Sequence, residues 1–362
     1  MTSWDSYPDT YRSLEVGQIL SAVRGGDCAA VVGLSGAGKS NLLGFIAHRL
    51  RGLSLPDFVL VDCNRLATPT ATGFLDLVCL ALDPRSASQP PALTGLEALL
   101  AARLEVNPSG ISLLVDRFEA LPGDALSSLS GNLRSLRDTY KYSLTYVVAI
   151  RRPLDPDLEL AELFYAHTLW LGPLTAKDAS WSAASFAARR GLGWSAAALQ
   201  RLVELSWGYP GLLRACCEAH AAGVPLETGA MSRSPAVQRR VEEFWRDRPS
   251  PEALRLSDLE GQPLLGTPPA PVAAGPASAE IDSAGLTAAE FRLLAYFQEH
   301  QGQVCDKDAL ILAVWPEEVQ VEGLRDDSLA QLVRRLRRKV EPDPADPSRI
   351  LTLPGRGYRF VG

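Results

Sequence analysis

Four short apolar runs recur along the first half of the chain, each separated from the next by a segment of helical length. They are "AAVVGL" (29–34), "FVLVDC" (58–63), "ISLLVD" (111–116) and "LTYVVAI" (144–150). Continuous apolarity over so few residues predicts parallel strands buried on both faces by the helices between them. "HTLWLGPL" (167–174) offers one further strand. Residues 1–172 are therefore expected to form an α/β domain with a parallel sheet covered by helices.

The pattern then changes. Residues 173–248 hold no strand-like run and read as an all-α domain, broken at "GLGW" and "SWGYPG". Thr175 with Asp178 three residues on resembles a capping box opening its first helix. Residues 249–285 contain seven prolines and end almost entirely in Pro, Ala, Gly and Ser, which predicts a flexible, partly extended linker. Residues 286–362 return to a compact pattern. A first helix carries Phe291, Leu294, Tyr296 and Phe297, and a second starts near Asp306. In a third, Leu329, Val333, Leu336 and Val340 recur at helical spacing and make one buried stripe. Asp327, Gln331, Arg334, Arg335 and Arg338 then fall on the opposite, exposed face. "RILTL" and "YRFV" around "PGRG" predict a hairpin, which makes this last domain α+β.

Composition narrows the classes. Hydrophobic residues make up 46% and charged residues 22%, as in ordinary globular protein. No apolar run reaches membrane-spanning length, and "MTSWDSYPDTYRSLE" lacks the layout of a signal peptide. Six cysteines without CxxC spacing read as reduced core thiols, and four scattered histidines offer no metal constellation. The expected location is cytoplasmic, with no membrane partner. The formal charge is −6, yet five of the six residues from Arg334 to Lys339 are cationic. Residues 286–362 balance 11 basic against 12 acidic residues, so any attraction to an anion there must come from local patterning.

"GLSGAGKS" (33–40) fits G-x-x-x-x-G-K-[ST] between an apolar strand and a helix. Gly33, Gly36 and Gly38 let backbone N–H groups curl around phosphate oxygens at a helix N-terminus. Lys39 would neutralise β- and γ-phosphates, Ser40 would ligate Mg²⁺, and Asn41 follows in the first helical turn. Asp116, ending "SLLVD", is the expected second metal anchor. Glu119 is the candidate for orienting or deprotonating an attacking water, although Arg117 stands where that acid would usually follow. Arg151, at the end of "YVVAI", is placed to sense a γ-phosphate, and a solvated arginine is the plain alternative. In "GYP" (208–210), Pro210 stiffens a helix start and Tyr209 is a candidate neighbour of the base.

These motifs carry a resemblance. With "VVGLSGAGKSNLL", "LLVDRFEAL", "VVAIRR", "LGPL" and "GYPGLLRA", residues 1–248 resemble the ATPase core of the STAND class of P-loop NTPases, relatives of AAA+ and origin-recognition ATPases. The resemblance implies ATP/ADP and Mg²⁺ as cofactors and a helical lid whose Gly-x-Pro signature is Gly208 and Pro210. It also implies a switch between a resting ADP state and an assembling ATP state. "TYRSLEV" (10–16) is placed like the segment that closes over adenine in such proteins. "LTAAEFRLL", "VRRLRRKVEPDP" and "ILTLPGRGYRF" resemble the OmpR/PhoB-type winged helix over essentially all of 286–362. That resemblance implies duplex DNA as partner, with the third helix in the major groove and the wing Arg356 in the minor groove. Arg334, Arg335 and Arg338 would meet phosphates or guanine edges, and Gln331 would read adenine.

The expectation is an ATP/ADP-controlled DNA-binding transcription regulator. It would be a slow ATPase that forms homo-oligomers when ATP-bound and answers to an unidentified protein or small-molecule activator. Two alternatives stay open: a DNA-remodelling or helicase-loading ATPase, and a defence-type signalling scaffold whose winged helix binds protein.

Overall fold

The computed structural model describes residues 3–50, 55–84, 93–266, 286–301, 303–315, 324–341, 347–353 and 357–361. The chain divides into two compact units, Met1–Ala270 and Pro271–Gly362.

In the first unit five strands form one parallel sheet: β1 (Ala29–Val32), β2 (Asp57–Asp62), β3 (Ile111–Asp116), β4 (Leu144–Ile150) and β5 (Thr168–Trp170). Their order is β2-β3-β4-β1-β5. Successive side chains of a strand point to opposite faces, and both faces here are apolar. Val31, Leu114, Val147 and Ala149 pack on one side with α1 (Ser13–Arg24) and α2 (Lys39–Arg49). Ala30, Val32, Leu113, Val115, Tyr146 and Val148 pack on the other with α3 (Ala71–Leu82), α4 (Leu93–Val106) and α5 (Gly123–Thr139). That is why the strands read as unbroken apolar runs. Two buried hydroxyls inside the sheet satisfy one another, Thr145 donating to Ser112 at 3.0 Å. The registers Val32↔Ile150 and Asp62↔Asp116 align the carboxyl ends on one edge, where ligands of open parallel sheets bind.

The helices α6 (Ala176–Arg189), α7 (Ala196–Ser206), α8 (Pro210–Ala221), α9 (Thr228–Ser232) and α10 (Pro235–Arg246) follow. They share one core with the sheet. Phe186, Leu202, Leu212, Met231 and Phe244 belong to the same apolar cluster as Val31 and Phe45. Thr175 caps α6 by accepting from the Asp178 amide at 3.2 Å. Asp178 does not complete a capping box, because its carboxylate instead accepts from the Arg12 amide at 3.0 Å.

Residues 250–266, expected to belong to the linker, are instead folded. Ser250 caps α11 (Pro251–Leu256), accepting from the Ala253 amide at 3.1 Å. Leu259, Leu264 and Leu265 are then buried in the core just described. Gln262 secures the turn, its side chain accepting from the Leu264 and Leu265 amides and donating to the Leu205 carbonyl at 2.8 Å. Three buried leucines supply the apolar area that offsets ordering this proline-bearing segment. Residues 267–285 of the expected linker lie outside the described residues.

The second unit contains α12 (Ala288–Glu299), β6 (Val304–Cys305), α13 (Lys307–Val314), α14 (Leu324–Val340), β7 (Ile350–Leu353) and β8 (Gly357–Phe360). The strands form an antiparallel sheet ordered β6-β8-β7, with β6 unanticipated because it is two residues long. Gly357 lies where β8 crosses β6. Its φ is +108°, and a Cβ there would sit 2.1 Å from the Cys305 carbonyl oxygen. Leu329, Val333, Leu336 and Val340 are buried as their spacing predicts, and Leu332 joins them. Phe291 is 54% exposed, so the buried face of α12 is Leu293, Leu294 and Phe297 instead. The capping box of Thr287 and Glu290 sets that phase, because it turns Glu290 inward onto Lys339 at 2.7 Å. Glu341 accepts backbone N–H bonds from Ser348, Arg349 and Ile350 and so ties the end of α14 to the start of β7.

Among the described residues no helix is long and apolar enough to cross a membrane. All six cysteines are free and buried.

Candidate functional site

The loop between β1 and α2 folds as its glycines require. Gly36 and Gly38 have φ of +88° and +91°, where a Cβ would be strained. Gly38 is the N-cap of α2, so the amides of Lys39, Ser40 and Asn41 open the helix without intrahelical acceptors. The Lys39 ammonium turns back onto the carbonyls of Gly33 and Leu34. Burial pulls its pKa down to about 8, against the attraction of Glu119 and with a further push from Arg151.

Asp116 ends β3, two strands from β1, and reaches the Ser40 hydroxyl. Burial raises its pKa, and the hydrogen bond from Ser40 opposes that. Its Oδ1 is buried with no protein partner. A hydroxyl and a carboxylate with an orphaned oxygen suit Mg²⁺, which takes one or two protein ligands and leaves the rest to phosphate and water. Among the described residues no group of three or more His, Cys, Asp or Glu is arranged to hold a metal ion.

Glu119 and Arg151 meet. The Arg151 Nε lies 3.2 Å from Glu119 Oε1, and its Nη1 lies 2.8 Å from Asp247 Oδ1. Arg152 donates to the Asp247 carbonyl at 2.7 Å. Burial also raises the Glu119 pKa, and Lys39 and Arg151 hold it back. Lys39, Asp116, Glu119 and Arg151, each expected from the sequence, therefore converge at one sheet edge.

"GYP" arrives somewhat differently from expectation. Gly208, with φ +69°, and Pro210 bring α8 directly onto the loop, where the Gly211 amide donates to the Gly36 carbonyl at 2.9 Å. Tyr209 is fully buried and donates its hydroxyl to the Ser35 carbonyl at 3.0 Å. Its ring packs on Phe244, not at an open base site. Tyrosine at this position braces the glycine loop between β1 and α2.

Two participants went unread in the sequence. Asp247 follows α10, and nothing local in "FWRDRPS" ties it to Arg151, 96 residues away. Arg12 sits inside "TYRSLEV" and is 1% exposed. Its guanidinium donates to the carbonyls of Ala37 in the β1–α2 loop (3.0 Å) and Gly172 (2.9 Å), and pairs with Glu15. The left-handed backbone at Arg12, φ +46°, turns the side chain inward. The segment thus clamps the loop from one side, a role that only the fold reveals.

In the second unit Gln331, Arg334, Arg335 and Arg338 are exposed on α14, opposite its buried stripe. The other two cations of the run are engaged within the domain. Arg337 donates to the Ile350 carbonyl and the Thr352 hydroxyl, and Lys339 pairs with Glu290. Arg356 lies outside the described residues, as does the side chain of Asp327.

Residues 282–360 match the family model "Transcriptional regulatory protein, C terminal". The C-terminal unit is a winged-helix domain of that family. The chain is 41% identical over 83 residues to regulatory protein VirG of Agrobacterium fabrum, covering 23% of this chain and 32% of that one. It is 34% identical over 91 residues to the transcriptional regulatory protein YvrH of Bacillus subtilis, covering 24% and 37%. The chain thus spans about a third of the length of these curated relatives. The walker-type ATPase PABY2304 of Pyrococcus abyssi is similar at 14% identity and TM-score 0.47, covering 99% of this chain and 97% of that one. Cdc6p of Pyrobaculum aerophilum is similar at 14% and 0.42, covering 100% and 94%. Likenesses this distant do not define the fold of the first unit, which rests on its parallel sheet and the helices around it.

Proposed function

We propose that this protein is a transcription regulator whose binding to duplex DNA is controlled by ATP and ADP. One observation carries the reading: a strand–loop–helix that fits the phosphate-loop pattern, with Lys39 half-buried, shares a chain with a winged helix whose third helix exposes Gln331, Arg334, Arg335 and Arg338.

The chain's own groups assign the roles. The amides of the loop and of the first turn of α2, with Lys39, would hold the phosphates of ATP or ADP. Ser40 and Asp116 would hold Mg²⁺, which when bound supplies neutralising charge to phosphate oxygens. Glu119, once released from Arg151, would orient or deprotonate a water; paired as it is, it favours slow turnover. Pro210 and Gly211 rest on the loop itself, so a change in the loop is passed to the helices that follow. On DNA, Arg335 and Arg338 would meet phosphates or guanine edges, with Arg334 and Gln331 beside them. Assembly into oligomers in the ATP state would let several winged helices bind together with avidity.

The test is fluorescence-anisotropy titration of duplex DNA with the full chain, in ADP and in a non-hydrolysable ATP analogue, across a salt series. Binding should tighten with the analogue, and Lys39→Ala should abolish that dependence. Changing Arg335 and Arg338 to Ala should reduce the salt slope by about one per lost phosphate contact. Absence of DNA binding in every nucleotide state would reject the reading and leave the exposed arginines as a solvated or protein-docking face.

A further inference from the structure

Arg151 is held by two carboxylates from different parts of the first unit. The register Val32↔Ile150 sets it beside Gly33, where the phosphate loop begins. Its Nε meets Glu119 and its Nη1 meets Asp247, at 3.2 and 2.8 Å. The Asp247 backbone is anchored as well, by Arg152. The second carboxylate oxygen of Asp247 is buried and has no partner. Its charge therefore depends on Arg151, and withdrawing that arginine would leave a poorly solvated carboxylate uncompensated.

Arg151, Glu119, Asp116 and Asp247 all act electrostatically on the Lys39 ammonium. A phosphate-loop lysine reaches the β- and γ-phosphates. A third phosphate at Lys39 therefore brings negative charge within the reach of Arg151 and competes with Asp247 for it. A diphosphate offers no such competitor.

We propose that Asp247 sets the discrimination between ATP and ADP: it holds Arg151 in reserve, so that only a triphosphate must draw the arginine away. Asp247 is a positioning residue that acts through Arg151. The ion pair lowers affinity for ATP and leaves affinity for ADP nearly untouched. It also keeps Glu119 paired until a third phosphate arrives. The inference rests on the nucleotide-binding reading above and names the residue that regulates that site.

The experiment is a fluorescence titration of the full chain with labelled ADP and a labelled non-hydrolysable ATP analogue, both with Mg²⁺. Wild type is compared with Asp247→Asn, Asp247→Glu and Lys39→Ala. Asp247→Asn should raise affinity for the analogue relative to ADP by about tenfold, because neutral asparagine releases Arg151 without leaving a buried charge behind. Asp247→Glu keeps the carboxylate and should keep the wild-type ratio within about twofold. An unchanged ratio in Asp247→Asn, or the same change in Asp247→Glu, overturns the role of Asp247. Asp247→Ser is a second neutral variant should Asp247→Asn not fold, and failure of both to fold would make the residue purely structural. Wild type that binds neither nucleotide, or binding indifferent to Lys39→Ala, would instead bring down the nucleotide reading itself.

Discussion

Lys39 and Arg12 show how much one side chain's surroundings decide. Lys39 is half-buried against the carbonyls of Gly33 and Leu34, with its pKa pulled down to about 8. Anionic phosphate favours its charged form, so binding raises that pKa and takes up a proton at higher pH. Affinity for the ATP analogue should be flat below about pH 7. Above about pH 8 it should fall, by up to tenfold per pH unit, as the free ammonium deprotonates; binding titrations from pH 6.5 to 9.5 would show it. A profile flat to pH 9.5 would place Lys39 away from the phosphates. Arg12 tests the loop's support. Arg12→Met keeps apolar bulk but leaves the Ala37 and Gly172 carbonyls without their donor. Breaking this buried network should cost about 3–5 kcal/mol in urea unfolding. A loss below about 1 kcal/mol would show that the guanidinium is dispensable.

At the scale of elements, the winged helix depends on charges that hold secondary structure together. Glu341 accepts three backbone N–H bonds at the entry to β7, and Arg337 binds β7 from α14. Two of the five cations in the basic run thus serve the domain itself: Arg337 and Lys339 fasten it, and Arg335 and Arg338 stay exposed. Glu341→Gln keeps the shape and removes the charge that strengthens those bonds. It should destabilise the C-terminal unit by about 2 kcal/mol. Circular dichroism of thermal unfolding would read the loss, and an unchanged midpoint would count against the carboxylate's role. The helical phase of α14 was legible from its Leu and Val spacing, because one buried stripe dictates the opposite face. The phase of α12 was not read, because the capping box that turns Glu290 inward puts an acid among buried positions, where Lys339, 49 residues away, receives it.

For the whole molecule, two compact units with separate apolar cores should unfold in two steps. Saturating ATP analogue with Mg²⁺ should raise only the transition of the first unit, by about 2.7 kcal/mol at one hundred times the Kd. Differential scanning calorimetry of the full chain would resolve this. A single transition that shifts as one would mean that the units unfold cooperatively.

What the sequence determined by itself was local. The four apolar runs are strands because buried parallel strands need apolar residues on both faces, and "GLSGAGKS" makes the tight turn from strand to helix because glycine alone takes its backbone turns cheaply. The exposed face carrying Gln331, Arg334, Arg335 and Arg338 followed from helical geometry. Tertiary structure decided everything that depended on a distant partner. It buried Tyr209 beneath the loop, turned Asp178 to Arg12, folded 250–266 onto the core and joined Arg151 to Asp247. None of these leaves a periodic trace, because a hydrogen bond or ion pair across a hundred residues constrains two isolated positions and no pattern between them.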